Sequence, residues 1–277
     1  MANEFWLALM IGNSRSHWAL FCNDVLHQTW DTPHFSPETI QQLIGNPSNL
    51  LLHLSPSSPS PLPSPSSPPL SPSSPPLSLW LASVVPAQSE RWKAYPLAHC
   101  ITLEQVPLAQ MYPTLGVDRA LAVWGAIAIV GSPVLVIDAG TACTFTGADA
   151  QNRLFGGAIL PGLRLQLQSL KQGTAALPRV DLAQHHSNVL PPRWAMDTQA
   201  AIASGILYTL VAGILDFMSD WWQQFPNSPV IMTGGDRQLL HSILIDQFPD
   251  LAGKLTLDSN LIFWGMRSVK QKIETNC

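Results

Sequence analysis

The chain is poor in charge. Asp, Glu, Lys and Arg make up 12% of its 277 residues, 14 basic against 18 acidic, for a formal net charge of −4. That balance excludes a protein that grips nucleic acid through a basic face, so no nucleic-acid partner is expected. Cysteine is also scarce. Cys22, Cys100, Cys143 and Cys277 are scattered, without a CxxC and without Cys/His ligand spacing, which fits reduced thiols in a cytoplasmic protein. The histidines form no HExxH, and neither a GxSxG elbow nor a Walker Gly-x4-Gly-Lys-[Ser/Thr] is present. A zinc peptidase, an esterase-type triad and a P-loop enzyme therefore all lack their local signatures. The first residues, Met-Ala-Asn-Glu-Phe-Trp, show no basic n-region, so no signal peptide is expected.

Long uncharged runs are few, and each has a soluble explanation. Ala120–Ile137 is interrupted by Gly131-Ser-Pro133 and turns β-branched in its second part, which predicts a helix, a turn and a buried strand. Ala200–Leu215 is shorter, contains Gly205 and Gly213, and reads as a buried helix at a subunit contact; no membrane partner is expected.

Proline, by contrast, is plentiful, and much of it falls in one place. Ser55–Ser78 contains only Ser, Pro and Leu, a composition that blocks helix and sheet ladders and cannot offset the entropy of ordering. It reads as an extended insertion within a domain, with a proline-rich docking ligand as the alternative. With 46% hydrophobic residues, the rest is long enough for two modest α/β domains, placed here at 1–115 and 116–277.

The chain is organised around Val134-Leu-Val-Ile-Asp-Ala-Gly-Thr-Ala-Cys-Thr-Phe145: a strand buried on both faces, a carboxylate at its end, a tight turn and a second strand. Gly140 permits close backbone approach to a ligand, and Thr141 offers a hydroxyl and an N–H. Leu7-Ala-Leu-Met-Ile-Gly-Asn-Ser-Arg15 aligns with it, placing Met10 on Asp138 and Gly12 on Gly140. A strand–turn–strand repeated in two halves predicts a duplicated α/β chain with a ligand between its halves. Elsewhere, Pro37–Ile44 reads as a short helix, Leu79–Val85 as a core strand and Cys100–Leu103 as a short strand. Ala120–Val130 reads as an apolar helix with Asp118 in its first turn, where a capping role and a catalytic one are both open. Phe155-Gly-Gly-Ala-Ile-Leu-Pro-Gly162 reads as a strand entering a helix. Asp197-Thr198 opens a second buried helix. Val230-Ile-Met-Thr-Gly-Gly-Asp236 is a strand followed by Gly-Gly, where open α/β sheets bind nucleotides, and Asn260–Ile273 is a final helix.

The order of these motifs suggests a duplicated actin-like, ribonuclease-H-like fold that binds ATP. With Ile11-Gly-Asn-Ser14, Leu115-Gly-Val-Asp-Arg119, Ile137-Asp-Ala-Gly-Thr-Ala142, Gly156-Gly-Ala-Ile-Leu-Pro-Gly162, Asp197-Thr198 and Thr233-Gly-Gly-Asp236, the chain resembles type III pantothenate kinases over nearly all its length except the Ser/Pro insertion. The resemblance implies phosphorylation of pantothenate by ATP with Mg²⁺ and a monovalent cation (K⁺ or NH₄⁺), in a homodimer. It implies Asp118 as proton acceptor; Tyr112, Gly116, Val117, Asp118 and Arg119 at pantothenate; and Thr198 at the same site from the partner subunit. It further implies Gly12, Asn13, Ser14, Arg15 and Thr141 at the ATP phosphates, Gly234 and Gly235 near the adenosine, and Asp138 on the monovalent cation. One residue departs from the pattern. Met10 stands where the family usually has the Asp that holds magnesium through water, and a thioether is a poor ligand for that hard cation. A non-catalytic regulatory relative, of the transcriptional accessory factor type, is the alternative Met10 favours, and a sugar or acetate kinase on the same fold is a third.

Overall fold

The structure, a computed structural model, describes residues 4–46, 50–54, 76–180 and 190–275. The strands are β1 (Phe5–Ile11), β2 (Ser16–Cys22), β3 (Val25–Thr32), β4 (Ser78–Ser83), β5 (Ala98–Cys100), β6 (Val134–Ala139), β7 (Ala142–Ala148), β8 (Leu154–Pro161), β9 (Val230–Thr233) and β10 (Leu255–Leu257). The helices are α1 (Pro37–Gly45), α2 (Leu50–Leu54), α3 (Pro86–Trp92), α4 (Val117–Val130), α5 (Leu163–Gly173), α6 (Thr198–Gln224), α7 (Arg237–Gln247), α8 (Pro249–Ala252) and α9 (Leu261–Thr275). They build two sheets, ordered β3-β2-β1-β4-β5 and β10-β9-β6-β7-β8. Numbered within its own half and read from β8, the second sheet is also 3-2-1-4-5. In each, a central strand pairs antiparallel with the strand after its turn and parallel with a later one, β1 with β2 and β4, β6 with β7 and β9. This is the duplicated actin-like, ribonuclease-H-like arrangement, and it puts Met10 and Asp138 at equivalent places near the ends of the two central strands.

The chain divides into two compact units. One comprises Met1–Pro107, Tyr112–Gly125 and Ile262–Cys277; the other comprises Leu108–Met111 and Ala126–Leu261. The division is thus not a single cut near residue 115, because the first half of α4 and nearly all of α9 pack with the N-terminal sheet.

In the first unit, alternate residues of β1, β2 and β4 face opposite ways. Leu7, Leu9, Ile11, Trp18, Leu20, Leu79 and Leu81 form one core with Ile40 and Leu43 of α1 and with Trp92. Helix α1 follows its sequence signals: Ser36 caps it by accepting from the Thr39 amide, and Pro37 opens it. The opposite face of the sheet receives α4 and α9. Phe21 meets Trp264 edge to face, Trp124 Nε1 donates to Ser268 Oγ at 3.0 Å, and Gly265 lets α9 press on the Leu121 carbonyl. Lys270, a buried lysine, lies 5.3 Å from the Trp6 ring centroid and 5.8 Å from that of Trp80, with its ammonium paired to Glu274. Of the Ser/Pro insertion, residues 55–75 lie outside the described residues. Leu77 already packs on the core and Ser78 begins β4, so the insertion ends sooner than its composition indicates.

In the second unit, α6 carries a stripe of buried residues, Ile202, Ile206, Leu210, Ile214, Met218 and Trp221 among them, at helical spacing against β6, β7 and β9. Each such large apolar side chain contributes about 1.5–3 kcal/mol on burial. The helix is 27 residues long and apolar enough to cross a membrane by length and composition, with half of its most apolar window buried in the protein. The expected uncharged helix is therefore present as a core element, longer than the uncharged run because the stripe continues through Trp221. Cys100–Leu103 is not one strand: β5 ends at Cys100, and a single 3₁₀ turn follows at Leu103–Gln105.

Candidate active site

In the first unit, the loop leaving β1 and the start of α4 share one end of the sheet. Val84, just past β4, donates its amide to the Ile11 carbonyl at 3.0 Å, and Gly116 sits against the Val84 side chain. Between β1 and β2, the Gly12 amide donates to the Arg15 carbonyl at 3.0 Å, closing a tight turn that exposes Asn13, Ser14 and Arg15. His34 bonds the Gly12 carbonyl at 2.9 Å, and Asp31 of β3 takes both Arg15 Nη1 at 3.1 Å and His17 Nδ1 at 2.7 Å. The hydrogen bond from His17 most of all, with the Arg15 guanidinium beside it, holds the Asp31 carboxyl below the usual carboxylate range against the opposing effect of burial. Met10, 1% exposed, is opposite His17 on β2 and Ala82 on β4.

Asp118 occupies the first turn of α4, where unpaired amides and the helix dipole favour an anion. Its Oδ1 accepts from the Arg119 amide at 2.8 Å. Burial pushes its carboxyl above the ordinary aspartate range, partly offset by that amide and by the Arg119 charge. A Cβ at position 116 would collide with the Asp118 carboxylate, so glycine there leaves the acid its place. The Arg119 guanidinium, in a buried residue, donates to the Tyr112 hydroxyl at 2.9 Å. Tyr112, Gly116, Val117, Asp118 and Arg119 thus gather at one helix start, Tyr112 being 42% exposed.

In the second unit, three turns converge. Gly140 closes the β6–β7 turn by donating to the Ala142 carbonyl at 3.1 Å, with Asp138 partly buried and Thr141 exposed. Gly162 is pressed against that turn: its amide donates to the Thr141 carbonyl at 2.9 Å, and a Cβ would strike the Gly140 and Thr141 carbonyl oxygens. From the third side, the Asp236 amide donates to the Ala139 carbonyl at 2.9 Å. Gly234 has φ +91°, a left-handed value, and a Cβ there would lie 2.5 Å from the Asp138 carboxylate. The Asp138 carboxylate is therefore seated over two glycine turns, Gly140 and Gly234. Cys143 beneath them is pushed up to about 12 by burial and by the charges of Asp138 and Asp236, which makes it an inert thiol. Thr198 stands apart from these turns, exposed at the start of α6, where Asp197 caps by accepting from the Ala200 amide at 2.9 Å.

Among the described residues no His/Cys/Asp/Glu cluster of three or more could hold a metal. Sequence reasoning missed Asp31, His17, His34 and Arg164 as neighbours of the turns. Asp31 and His17 meet because β2 and β3 pair with His17 opposite Asp31, a register that no local motif announces.

Comparison with known proteins agrees with this geometry. The profile of the type III pantothenate kinase family matches residues 6–220. Over 276 aligned positions, 95% of this chain and 94% of the relative, the chain is 50% identical to a type III pantothenate kinase of a Nostoc species. Over 264 positions, 95% of this chain and 90% of the relative, it is 40% identical to one of a Synechocystis species. Among solved structures it is similar in fold to a Baf-family protein from Campylobacter jejuni, with TM-score 0.60 and 19% identity over 97% of this chain and 99% of that one. A repeated sheet topology, an aspartate at a helix start, two glycine turns with a carboxylate between them and these relatives converge: the chain belongs to the type III pantothenate kinase family.

Proposed function

We propose that Asp118 receives the hydroxyl proton when this kinase transfers the γ-phosphoryl group of ATP to pantothenate, giving 4′-phosphopantothenate in the first step of coenzyme A biosynthesis. The observation that carries this reading is the start of α4. The Arg119 amide fixes the carboxylate through Oδ1, and the carboxylate so held is the group to accept from an alcohol. A raised pKa makes the carboxylate a better base than a solvated aspartate, and orienting the nucleophile is its first task. Tyr112, Gly116, Val117 and Arg119 line the pantothenate site around it. Gly12, Asn13, Ser14, Arg15 and Thr141 hold the ATP phosphates through exposed amides, hydroxyls and a guanidinium, and Gly234 and Gly235 lie near the adenosine. Phosphoryl transfer has a loose transition state, so positioning and charge neutralisation carry most of the catalysis.

Asp138 is the residue suited to the monovalent cation, K⁺ or NH₄⁺. Its carboxylate lies over Gly140 and Gly234, which a side chain at 234 would crowd. Magnesium fits through ATP itself, since Met10 is buried and offers no hard donor. When bound, the ions neutralise the triphosphate. A mixture of purified protein, ATP, pantothenate, Mg²⁺ and K⁺ should show turnover in a coupled assay, and its absence would sink the assignment. Met10→Asp should lower the Mg²⁺ concentration that gives half the maximal rate, at some expense in stability, because it buries a carboxylate. An unchanged Mg²⁺ titration would mean that this turn does not approach the metal.

The same reading makes the enzyme a cytoplasmic homodimer with Thr198 reaching the partner's pantothenate site. Supporting it, Trp194 is 87% and Met196 99% exposed beside an open groove of about 710 Å³ lined by Leu170, Ile202, Ile206 and Thr198. Met196→Glu should convert the dimer to monomer in analytical ultracentrifugation and raise KM for pantothenate while leaving KM for ATP unmoved. A dimer undisturbed by that charge would place the contact elsewhere.

A further inference from the structure

The three turns of the second unit hold an arginine that no motif singles out. Arg164 is the second residue of α5, two positions after the glycine that presses against Gly140 and Thr141. Its side chain is 78% exposed, and its Nε stands 3.8 Å from Oδ1 of Asp236, a carboxylate only 14% exposed. That is the outer limit of an ion pair, and a solvent-facing pair at such a distance is weak, so it is readily exchanged. The neighbouring cation is committed elsewhere: Arg237 Nη1 donates to the Gly234 carbonyl at 2.8 Å and so braces the third turn. The Asp138–Ala142 turn contains no cation of its own. A polyphosphate seated on Thr141 would bring several negative charges to a place already occupied by Asp138 and Asp236. A guanidinium on a long, mobile stem is the group that can balance them, since it donates to two phosphate oxygens at once.

We propose that Arg164 is a nucleotide-binding residue of this kinase. Its guanidinium donates to the terminal phosphates of the nucleoside triphosphate held on the Thr141 turn, and Asp236 is its resting partner when no nucleotide is bound. The proposal rests on the assignment of Thr141 to the ATP phosphates.

Initial rates of wild type, Arg164→Ala, Arg164→Lys and Asp236→Asn are measured against ATP and against pantothenate, with calorimetric binding of ATP, ADP and adenosine. Losing a charge-assisted phosphate contact should raise KM for ATP by about 10- to 100-fold in Arg164→Ala, with partial recovery in Arg164→Lys. Adenosine affinity and KM for pantothenate should stay within about twofold, because neither ligand presents phosphate to the turn. Asp236→Asn, which frees the guanidinium, should hold KM for ATP at or below the wild-type value. A purely structural ion pair would instead make Arg164→Ala and Asp236→Asn alike. Wild-type turnover alongside an unmoved KM for ATP in Arg164→Ala overturns the role of Arg164 alone. Equal weakening of ATP and adenosine also overturns it, since the side chain would then act by shaping the turn. Failure of the wild type to bind ATP overturns the phosphate site itself, and this proposal with it.

Discussion

Asp118→Asn is expected to lower kcat by about two to four orders of magnitude, the usual contribution of a positioned general base, while KM for ATP changes little. The amide keeps the size of the side chain and can still take the Arg119 N–H bond, so the fold of α4 is undisturbed. What disappears is a carboxylate able to accept the alcohol proton. The sign of the pH dependence follows from the same residue. As the proposed base, Asp118 would have to be deprotonated to act, and burial raises its pKa above the ordinary aspartate range. Activity in the wild type should therefore fall on acidification at a higher pH than an exposed aspartate would give. That acid limb should be absent from the residual activity of the asparagine variant. A pH–rate profile of kcat/KM for both proteins checks this, and an acid limb shared by both would assign it to another group.

Gly162→Ala is expected to be the most damaging single-methyl change in the second unit. The added carbon would meet the Gly140 and Thr141 carbonyl oxygens, both backbone atoms that cannot rotate away. Overpacking of this kind costs about 1–3 kcal/mol. Relief requires the β6–β7 turn to move off β8, and that turn carries Thr141 and follows Asp138. The variant should unfold several degrees lower in a thermal melt and bind ATP at least about tenfold more weakly, in line with the sensitivity of bound geometry to small displacements. Gly173→Ala, on the same helix in open space, is the matched control. Normal ATP affinity in Gly162→Ala would show that the turn is not held by this contact.

Much of this architecture was legible in the amino-acid order because its signals are local. Four apolar residues followed by Asp-Ala-Gly-Thr can be read as strand, carboxylate and turn without knowing the partners. The α4 run ends where Gly131 adopts φ +79°. Residues that depend on pairing between distant segments stayed hidden. The strand β3, Val-Leu-His-Gln-Thr-Trp-Asp-Thr, lies at a sheet edge and is largely exposed, so it has no clean apolar alternation, and with it Asp31 went unread. Arg164 and Asp236 meet only because two turns converge on a third. The membership of α9 in the first unit was equally invisible: its amphipathic pattern shows that it packs, not on what.

That return of α9 has a consequence for how the protein is made. Arg267 donates to the Asp24 carbonyl across 243 residues of sequence, Gly265 presses on Leu121 of α4, and Lys270 lies over the Trp6 ring of the sheet. During synthesis, the strands that carry Trp6, Phe21 and Trp80 emerge long before α9, and that face of the sheet stays incompletely covered until α9 follows the second unit. The second unit, whose core is drawn from one continuous stretch, has all its parts before then. The usual vectorial order of maturation, in which the leading domain completes itself first, is inverted here.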